Sequence, residues 1–433
     1  MCSSPAPPFL PDVLIAEILS FLDVKSIMRL RCVCKFWNTL IFDSTFVNLH
    51  LNKSAKQNPH FLLITSHSIT VTTEFQNGSY SFTECEQGII PYSVSSLLEN
   101  PSFALSVDSH HLVQDKGCSY IVGSCNGLVC FAGETVTMEY YEFWFRLWNP
   151  ATRTTSPRLG FFRLFRYGPD CTSSADDGYY KFNFGYDNST GTYKTVASRY
   201  NRRQLRSNVR VLSFGDHVWR DIQSFPVDPM YLDYSAYETC GNVGVYFKST
   251  INWLAIQNHF TYDSYNIKDI SVEQFVIVSL DLRTEAYNKY LLPCEFDEVP
   301  PVAPTIGVLG DCLCFSYCYK ETDFIIWQMN KFGVQDSWTQ FLKISYHNLQ
   351  IDYDYSDEDM KYNFELVPLF LSKDGDTLVL ESSQEHPEIL YNWRNGRVER
   401  TKITATTTIT DDRAVHLVSC TALDYFESLV SVF

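Results

Sequence analysis

From Ser119 almost to its end the chain offers no amphipathic helix of convincing length, only short runs of β-branched and aromatic residues alternating with clusters of turn formers. Strands without helices to cover them must cover one another. Residues 61 onward are therefore predicted to form a large all-β body, either hairpin sheets arranged as a propeller or, as the alternative, a β-sandwich. Its first strands are expected at Phe61–Thr65 and Ile69–Thr73, with a turn near Asn77 and Gly78. With 45% hydrophobic and 15% aromatic residues among 433, core material is ample, and the length suits one small module plus one large domain.

Within this body one unit recurs. A polar residue ends a strand, and six positions later an aromatic or β-branched residue opens the next: Asn149 with Thr155, Asp187 with Tyr193, Ser213 with Trp219, Asp281 with Tyr287 and Asn392 with Val398, with a related form from Phe332 to Trp338. The polar member suits an Asx-type turn, and the downstream residue packs as the chain returns. The downstream positions lie 38, 26, 68, 51 and 60 residues apart, close on average to the kelch period of about 50 but too scattered for a clean repeat. Such hairpins suggest kelch-like propeller blades. Closure is predicted to pair an early strand near Phe61–Thr65 with a late one near Glu388–Trp393.

Residues 9–51 read as helix instead. Pro11 and Asp12 suit a helix start, followed by a stripe of Leu14, Ile15, Ile18, Leu19 and Leu22. Asp23 breaks the run, and Ser26 is expected to cap a second stretch whose Ile27, Leu30, Cys34, Trp37 and Ile41 share one face. A module of about 40 residues rarely buries enough apolar surface to stand alone, so it should pack against something. Leu10-Pro11-Asp12, Glu17-Ile18-Leu19, Leu22, the run from Leu30 to Lys35, Trp37, Asp43 before Phe46, and His50-Leu51 together resemble the plant F-box motif, with mild departures at Phe21 and Asp23. The resemblance implies a small three-helix F-box that binds the Skp adaptor, and through it the cullin and RING subunits, of an SCF-type ubiquitin ligase. Its adaptor-binding residues would be Leu10, Pro11, Leu14, Ile18, Leu19, Leu30, Val33, Cys34 and Trp37.

The body carries a second resemblance. Gly123 to Cys130 (GSCNGLVC), Leu147 to Arg153 (LWNPATR), Phe184 to Asp187 leading to Tyr193–Val196, Val209 to Arg220, Gly244–Tyr246 to Asn252–Ala255, Ser279–Asp281 and Gly307 to Cys314 (GVLGDCLC) are similar to the plant F-box-associated domain. The implied protein is a non-catalytic substrate receptor, with a propeller-fold enzyme or a glycan-binding module as alternatives. The expected organisation is an F-box at 9–51, a short hinge at 52–60, the β domain at 61–403, and a C-terminal segment at 404–433 available to pack on it.

Charge narrows the partners. The net charge of −16 lies outside residues 9–51, which hold four acids and four bases, so a general nucleic-acid binder is disfavoured. A basic group at Arg199, Arg202, Arg203, Arg206 and Arg210, beside Arg163 and Arg166, reads either as a solvated hairpin face or as a site for an acidic partner surface. An acidic run from Asp352 to Asp359 reads as an insertion between strands, or as a lip where Tyr353 and Tyr355 supply contact area. Arg202, Arg203, Arg206, Tyr353 and Tyr355 are thus the candidate target contacts. Cys312, Cys314 and Cys318 lack the second ligand pair that zinc needs and are expected to pack. Gly123–Gly127 lacks the Lys-Ser/Thr of a phosphate loop, and no nucleophile elbow accompanies His110 and His111. No cofactor or metal is expected. No apolar run reaches the roughly 18 residues of a membrane span. The start MCSSPAPPF lacks the features of a signal peptide, so the 14 cysteines are expected to remain thiols in cytoplasm or nucleus.

Overall fold

The computed structural model describes residues 10–57, 59–75, 78–105, 111–112, 118–165, 180–201, 204, 206–227, 229–230, 244–257, 270–351, 364–382, 388–405 and 414–432. Four helices come first: α1 (Asp12–Leu19), α2 (Val24–Leu30), α3 (Lys35–Phe42) and α4 (Ser44–Gln57). Asp23, not Ser26, caps α2, accepting from the Ser26 N–H at 2.6 Å and its hydroxyl at 3.0 Å. The stretch expected to continue from Ile27 to Ile41 breaks after Leu30 and restarts at Lys35, with Cys34 Sγ accepting from the Trp37 N–H. Four helices therefore stand where three were expected. The polar run read as a hinge is helical as far as Gln57 and strand from Pro59.

Beyond the helices the described residues form six antiparallel sheets in a ring, with Ser102–Leu105 and Lys402–Ala405 pairing in parallel apart from them. The first blade holds Cys118–Cys125, Leu128–Val136, Tyr140–Asn149 and an outer strand in two pieces, Thr154–Thr155 and Leu159–Phe165. The next four each take four consecutive strands, beginning at Lys181, Val245, Thr305 and Leu366. The sixth is composite: Ala414–Phe426 is innermost, followed outward by Pro59–Phe75, Gly78–Ser93 and His111–Leu112. Innermost strands touch their neighbours all the way round, Ala414–Phe426 meeting both Leu366–Leu371 and Cys118–Cys125. This is a closed six-bladed propeller.

The early closing strand is the expected one, but its partner is not. Phe61–Thr65 pairs with Cys420–Asp424, whereas Ile389–Asn392 lies inside the fifth blade between Thr377–Ser382 and Arg397–Arg400. The predicted partner was already needed as a third strand, so the last strand of the chain completes the ring. Terminal strands sharing one blade leave no inner edge unpaired.

The core lies between blades. Along Phe275–Asp281 of the third blade, Val276, Val278 and Leu280 pack on the second blade, while Phe275 and Ile277 pack towards the fourth. A strand covered on both faces reads as a continuous apolar run, as in TINWLAI at Thr250–Ile256, buried at every position. Close approach also selects residue type. A Cβ on Gly185 of the second blade's inner strand would lie 2.6 Å from Tyr246 Cδ2 and 2.9 Å from Leu282 Cδ1 of the third.

The polar residue of the recurring unit forms the expected turn at Asn149, Asp187, Asp281 and Asn392, but at the Ser213 unit it is Asp216 Oδ1 that accepts from the Val218 N–H, at 3.0 Å. Asn149 Oδ1 accepts from the Ala151 and Thr152 N–H groups at 3.0 and 3.2 Å, Asp281 Oδ1 from Arg283 and Thr284 at 2.8 and 3.0 Å, and Asn392 Oδ1 from Arg394 and Asn395 at 3.2 Å each. These turns join the third and fourth strands of a blade, but Asp187 closes the first hairpin of the second blade. Setting Asp187 apart leaves Thr155, Trp219, Tyr287, Trp338 and Val398, now 64, 68, 51 and 60 residues apart, one per blade.

Candidate docking surfaces

The helical unit has an inner and an outer apolar face. Leu19, Val24, Ile27, Ile41 and Phe46 are buried together, with Ile15, Leu22, Leu30 and Trp37 packed against them. His50 is buried beside them, its Nε2 2.9 Å from the Leu22 carbonyl, and burial pushes its pKa down against that contact. The stripe predicted on α1 is thus divided: Ile15, Leu19 and Leu22 turn inward, while Leu14 and Ile18 are 50% and 57% exposed. Leu10, Pro11, Val33 and Cys34 are exposed too. Leu19, at 4% exposure, is corrected from a contact residue to a core residue, because a partner cannot reach it. Leu30 and Trp37 are half-buried supports. Reading the sequence missed Val13, Phe21, Phe36 and Phe42, all exposed. An eight-residue helix apolar on two sides was the available signal, since one side suffices for packing.

A C-terminal clasp fixes this unit on the propeller. Leu429 is buried in the helical core, and Ala151 of the first blade packs at its edge. Asn149 Nδ2 donates to the carbonyls of Ser428 and Val430 at 3.0 and 2.8 Å, while Val432 joins the core between the first and second blades. Gly127, at φ +74°, lets the segment pass, for a Cβ there would lie 2.3 Å from Ser428 Oγ and 2.8 Å from the Phe426 carbonyl.

The two rims differ. Short turns, including 126–127, 150–153, 188–191 and 248–249, open on the rim beside the clasp, where Asn188 N–H donates to Ser249 Oγ at 3.2 Å across two blades. Long connections, such as 223–244, 257–274 and 346–365, leave from the other ends of the strands. Arg206 begins a strand there and is exposed, its Nε donating to Gln204 Oε1 at 3.0 Å. Arg202, Arg203, Tyr353 and Tyr355 lie outside the described residues. Of the remaining basic group, Arg199 is buried over Tyr180, Arg210 lies beside Asp221, and Arg163 bonds Glu142. Cys314 and Cys318 pack between the fourth and fifth blades, where burial pushes their thiols up to about 12 and about 11.

Also on the long-connection rim, the fifth blade gathers Glu365, Glu381 and Glu388, the last accepting from the Thr401 hydroxyl. Burial, reinforced by the charges of Glu388 and Glu365, pushes the Glu381 carboxyl up to about 7. The native state then holds this proton more tightly than the unfolded chain does. Its stabilising contribution is full below the ordinary value of 4.5 and is lost as pH rises through about 7. Denaturant unfolding at pH 5 and pH 8 is expected to give the lower midpoint at pH 8. Glu381→Gln should shrink the difference, and an unchanged difference would place the titration elsewhere.

Among the described residues no helix is long and apolar enough to cross a membrane. The F-box domain family matches residues 8–48, and the F-box associated beta propeller domain family matches residues 80–298. F-box/kelch-repeat protein At3g23880 of Arabidopsis thaliana is 28% identical over 347 residues, covering 78% of this chain and 80% of its own. F-box protein CPR1 of the same plant is 22% identical over 392 residues, covering 86% and 79%. Among solved structures, the beta-propeller domain of the Trilobed protease from Pyrococcus furiosus aligns over 85% of this chain and 95% of its own, at a TM-score of 0.37 and 8% identity. With the propeller family matching more than half of its length and an F-box domain matching the helices ahead of it, the chain belongs to the F-box associated beta propeller family.

Proposed function

We propose that this protein is the substrate-recognition subunit of an SCF-type ubiquitin ligase, non-catalytic itself, binding the Skp adaptor through its helical unit and a target protein through its propeller. The observation that carries the reading is the exposed apolar face of Leu10, Pro11, Leu14, Ile18 and Val33 on a unit whose own core is already filled. Such a face on a folded module calls for a partner. The chemistry of ubiquitin transfer belongs to the ligase subunits, and this chain contributes proximity and orientation. The clasp supports that role by holding the helices at a set angle to the target-bearing body. Co-expression with Skp, cullin and RING subunits should yield a stable four-protein complex on size-exclusion chromatography. Failure of the chain to enter that complex would end the proposal.

Target capture is assigned to the rim of long connections, with Arg202, Arg203, Arg206, Tyr353 and Tyr355 as candidate contacts. Reversing Arg202, Arg203 and Arg206 to glutamate is expected to weaken target capture in a salt-sensitive way and to leave adaptor binding intact. Equal capture by the triple variant at low salt would reduce these arginines to a solvated hairpin.

A further inference from the structure

We infer that the outer wall between the first and second blades is a docking groove for an extended acidic segment of the target, with aromatic side chains alternating with its acids. This rests on the receptor reading above. Among the described residues Leu159–Phe165 is the outermost strand of the first blade and pairs only with Tyr140–Asn149. Outer edges ordinarily carry charges, prolines or bulges that deter pairing with another chain. This edge carries one charge, Arg163, and a bulge in its pairing at Phe143–Phe145, but otherwise reads LGFFRLF, with Phe161 and Phe165 each 51% exposed on either side of Arg163. Met138, 85% exposed, stands at the tip of the adjoining hairpin. An apolar edge of this kind is a template for strand addition, in which backbone bonds hold the ligand and alternate side chains select it.

Beside the strand lies a groove of about 800 Å³ lined by four rings, Phe161, Phe162, Phe165 and Trp219, by Arg163 and Arg210, and by one carboxylate, Glu142. Trp219 of the second blade closes one end by donating its indole N–H to the Gly160 carbonyl at 2.8 Å. The arginines there are incompletely neutralised. Glu142 takes only the Nε of Arg163, at 2.7 Å. Asp221 lies 2.9 Å from Arg210 Nε but off the line of its N–H, and it is itself mostly in water. Arg199 is 2% exposed, its guanidinium 5.0 Å from the Tyr180 ring and its Nε without a hydrogen-bond partner. Tyr180 in turn meets Phe162 at 5.2 Å. Among the described residues three guanidiniums thus stand against the carboxylates of Glu142 and Asp221, Arg199 and Arg210 on the side of the second blade and Arg163 on the other face of the edge strand, in a protein of net charge −16. A buried unpaired charge is costly, and an anion in the adjoining groove would offset part of that cost.

The rings decide which anion. Successive side chains of a strand point to opposite faces, so an added segment that alternates acid and ring would lay its rings along the Phe161–Arg163–Phe165 face and its acids along the Phe162 face, which turns to Arg210 of the second blade. A nucleic acid would be repelled at long range by the acidic whole.

A fluorescein-labelled peptide of four Glu-Phe repeats, titrated into the full chain bound to the Skp adaptor, tests this by fluorescence polarisation. It is expected to bind at least tenfold tighter than the Lys-Phe counterpart. Arg163→Glu and Phe161→Ser, both at exposed positions, should each weaken it about tenfold with unchanged melting temperature. Arg163→Gln should fall between. Equal affinity of the two peptides, indifference to all three substitutions, or equally tight competition by oligothymidylate would each overturn the groove. Adaptor capture, followed in parallel, separates the two readings: if it persists while the peptide fails, only the groove is lost, and if the unmodified chain does not capture adaptor, the receptor reading itself falls.

Discussion

Aspartate at both Leu14 and Ile18 is expected to abolish adaptor capture, with a loss of at least about a hundredfold, while the melting temperature of the chain stays where it was. Both side chains are half exposed on α1 and contribute nothing to the buried group around Ile27 and Phe46. A large apolar anchor at the centre of an interface is typically worth 2 kcal/mol or more, and about 1.4 kcal/mol is a factor of ten in affinity. Two such anchors replaced by charges that must be desolvated on docking lose more than their sum of contacts. Leu19→Ala supplies the opposite pattern. Leu19 is buried one position further along the same helix, and its truncation should cost about 2–5 kcal/mol of stability in the helical unit. Adaptor capture would then fall only as the unit unfolds, and cooling should restore part of it. Surface plasmon resonance against immobilised adaptor, with melting curves for each variant, distinguishes the two. Full capture by the double aspartate variant would move the adaptor site off this face.

That division on α1 marks where the sequence stops being informative. The stripe of Leu14, Ile15, Ile18, Leu19 and Leu22 is correctly helical, and α1 starts at Asp12 as expected. Spacing cannot say which half faces inward, because both halves are apolar and the decision is made by Val24, Ile41 and Phe46 arriving from other helices. The propeller was legible for a local reason: an Asx turn is fixed by one side chain and two backbone N–H groups within three residues. Blade spacing was obscured by Asp187, whose turn is identical but sits in the first hairpin of its blade. Closure depends on paired residues 344 to 367 positions apart, and nothing in the composition of either strand names the other. Arg199 and Arg210 alternate along neighbouring strands as if for solvent. Arg199 is instead buried over Tyr180, itself packed on Phe162 of the first blade, and Arg210 turns towards Phe162, so the first blade's aromatic wall determines what they meet.

The C-terminal residues offer the second large effect. Ending the chain after Phe426 keeps the strand that closes the ring but removes the clasp, and the expected result is a folded propeller with a loosened helical unit. Leu429 would leave a cavity beside Leu19, Val24 and Ile27, at a cost of about 2–5 kcal/mol. Asn149, fully buried, would lose both carbonyl acceptors of its Nδ2, which adds about 1–3 kcal/mol for the stranded donor unless water enters. Hydrogen exchange should then accelerate across 10–57 while the inner strands of the second to fourth blades stay protected. Ubiquitin transfer in a reconstituted ligase should slow more than adaptor or target capture, since each surface survives and only their mutual orientation is lost. Ending the chain before Ala414 is expected to be far more severe. It strips the inner strand from the sixth blade and exposes the facing edge of Pro59–Phe75, so unfolding or aggregation of the whole body should follow. If the chain ending at Phe426 keeps its helical protection and its transfer rate, the clasp is packing without a positioning role, and the orientation of the helices must be set by α4 and Ala151 alone.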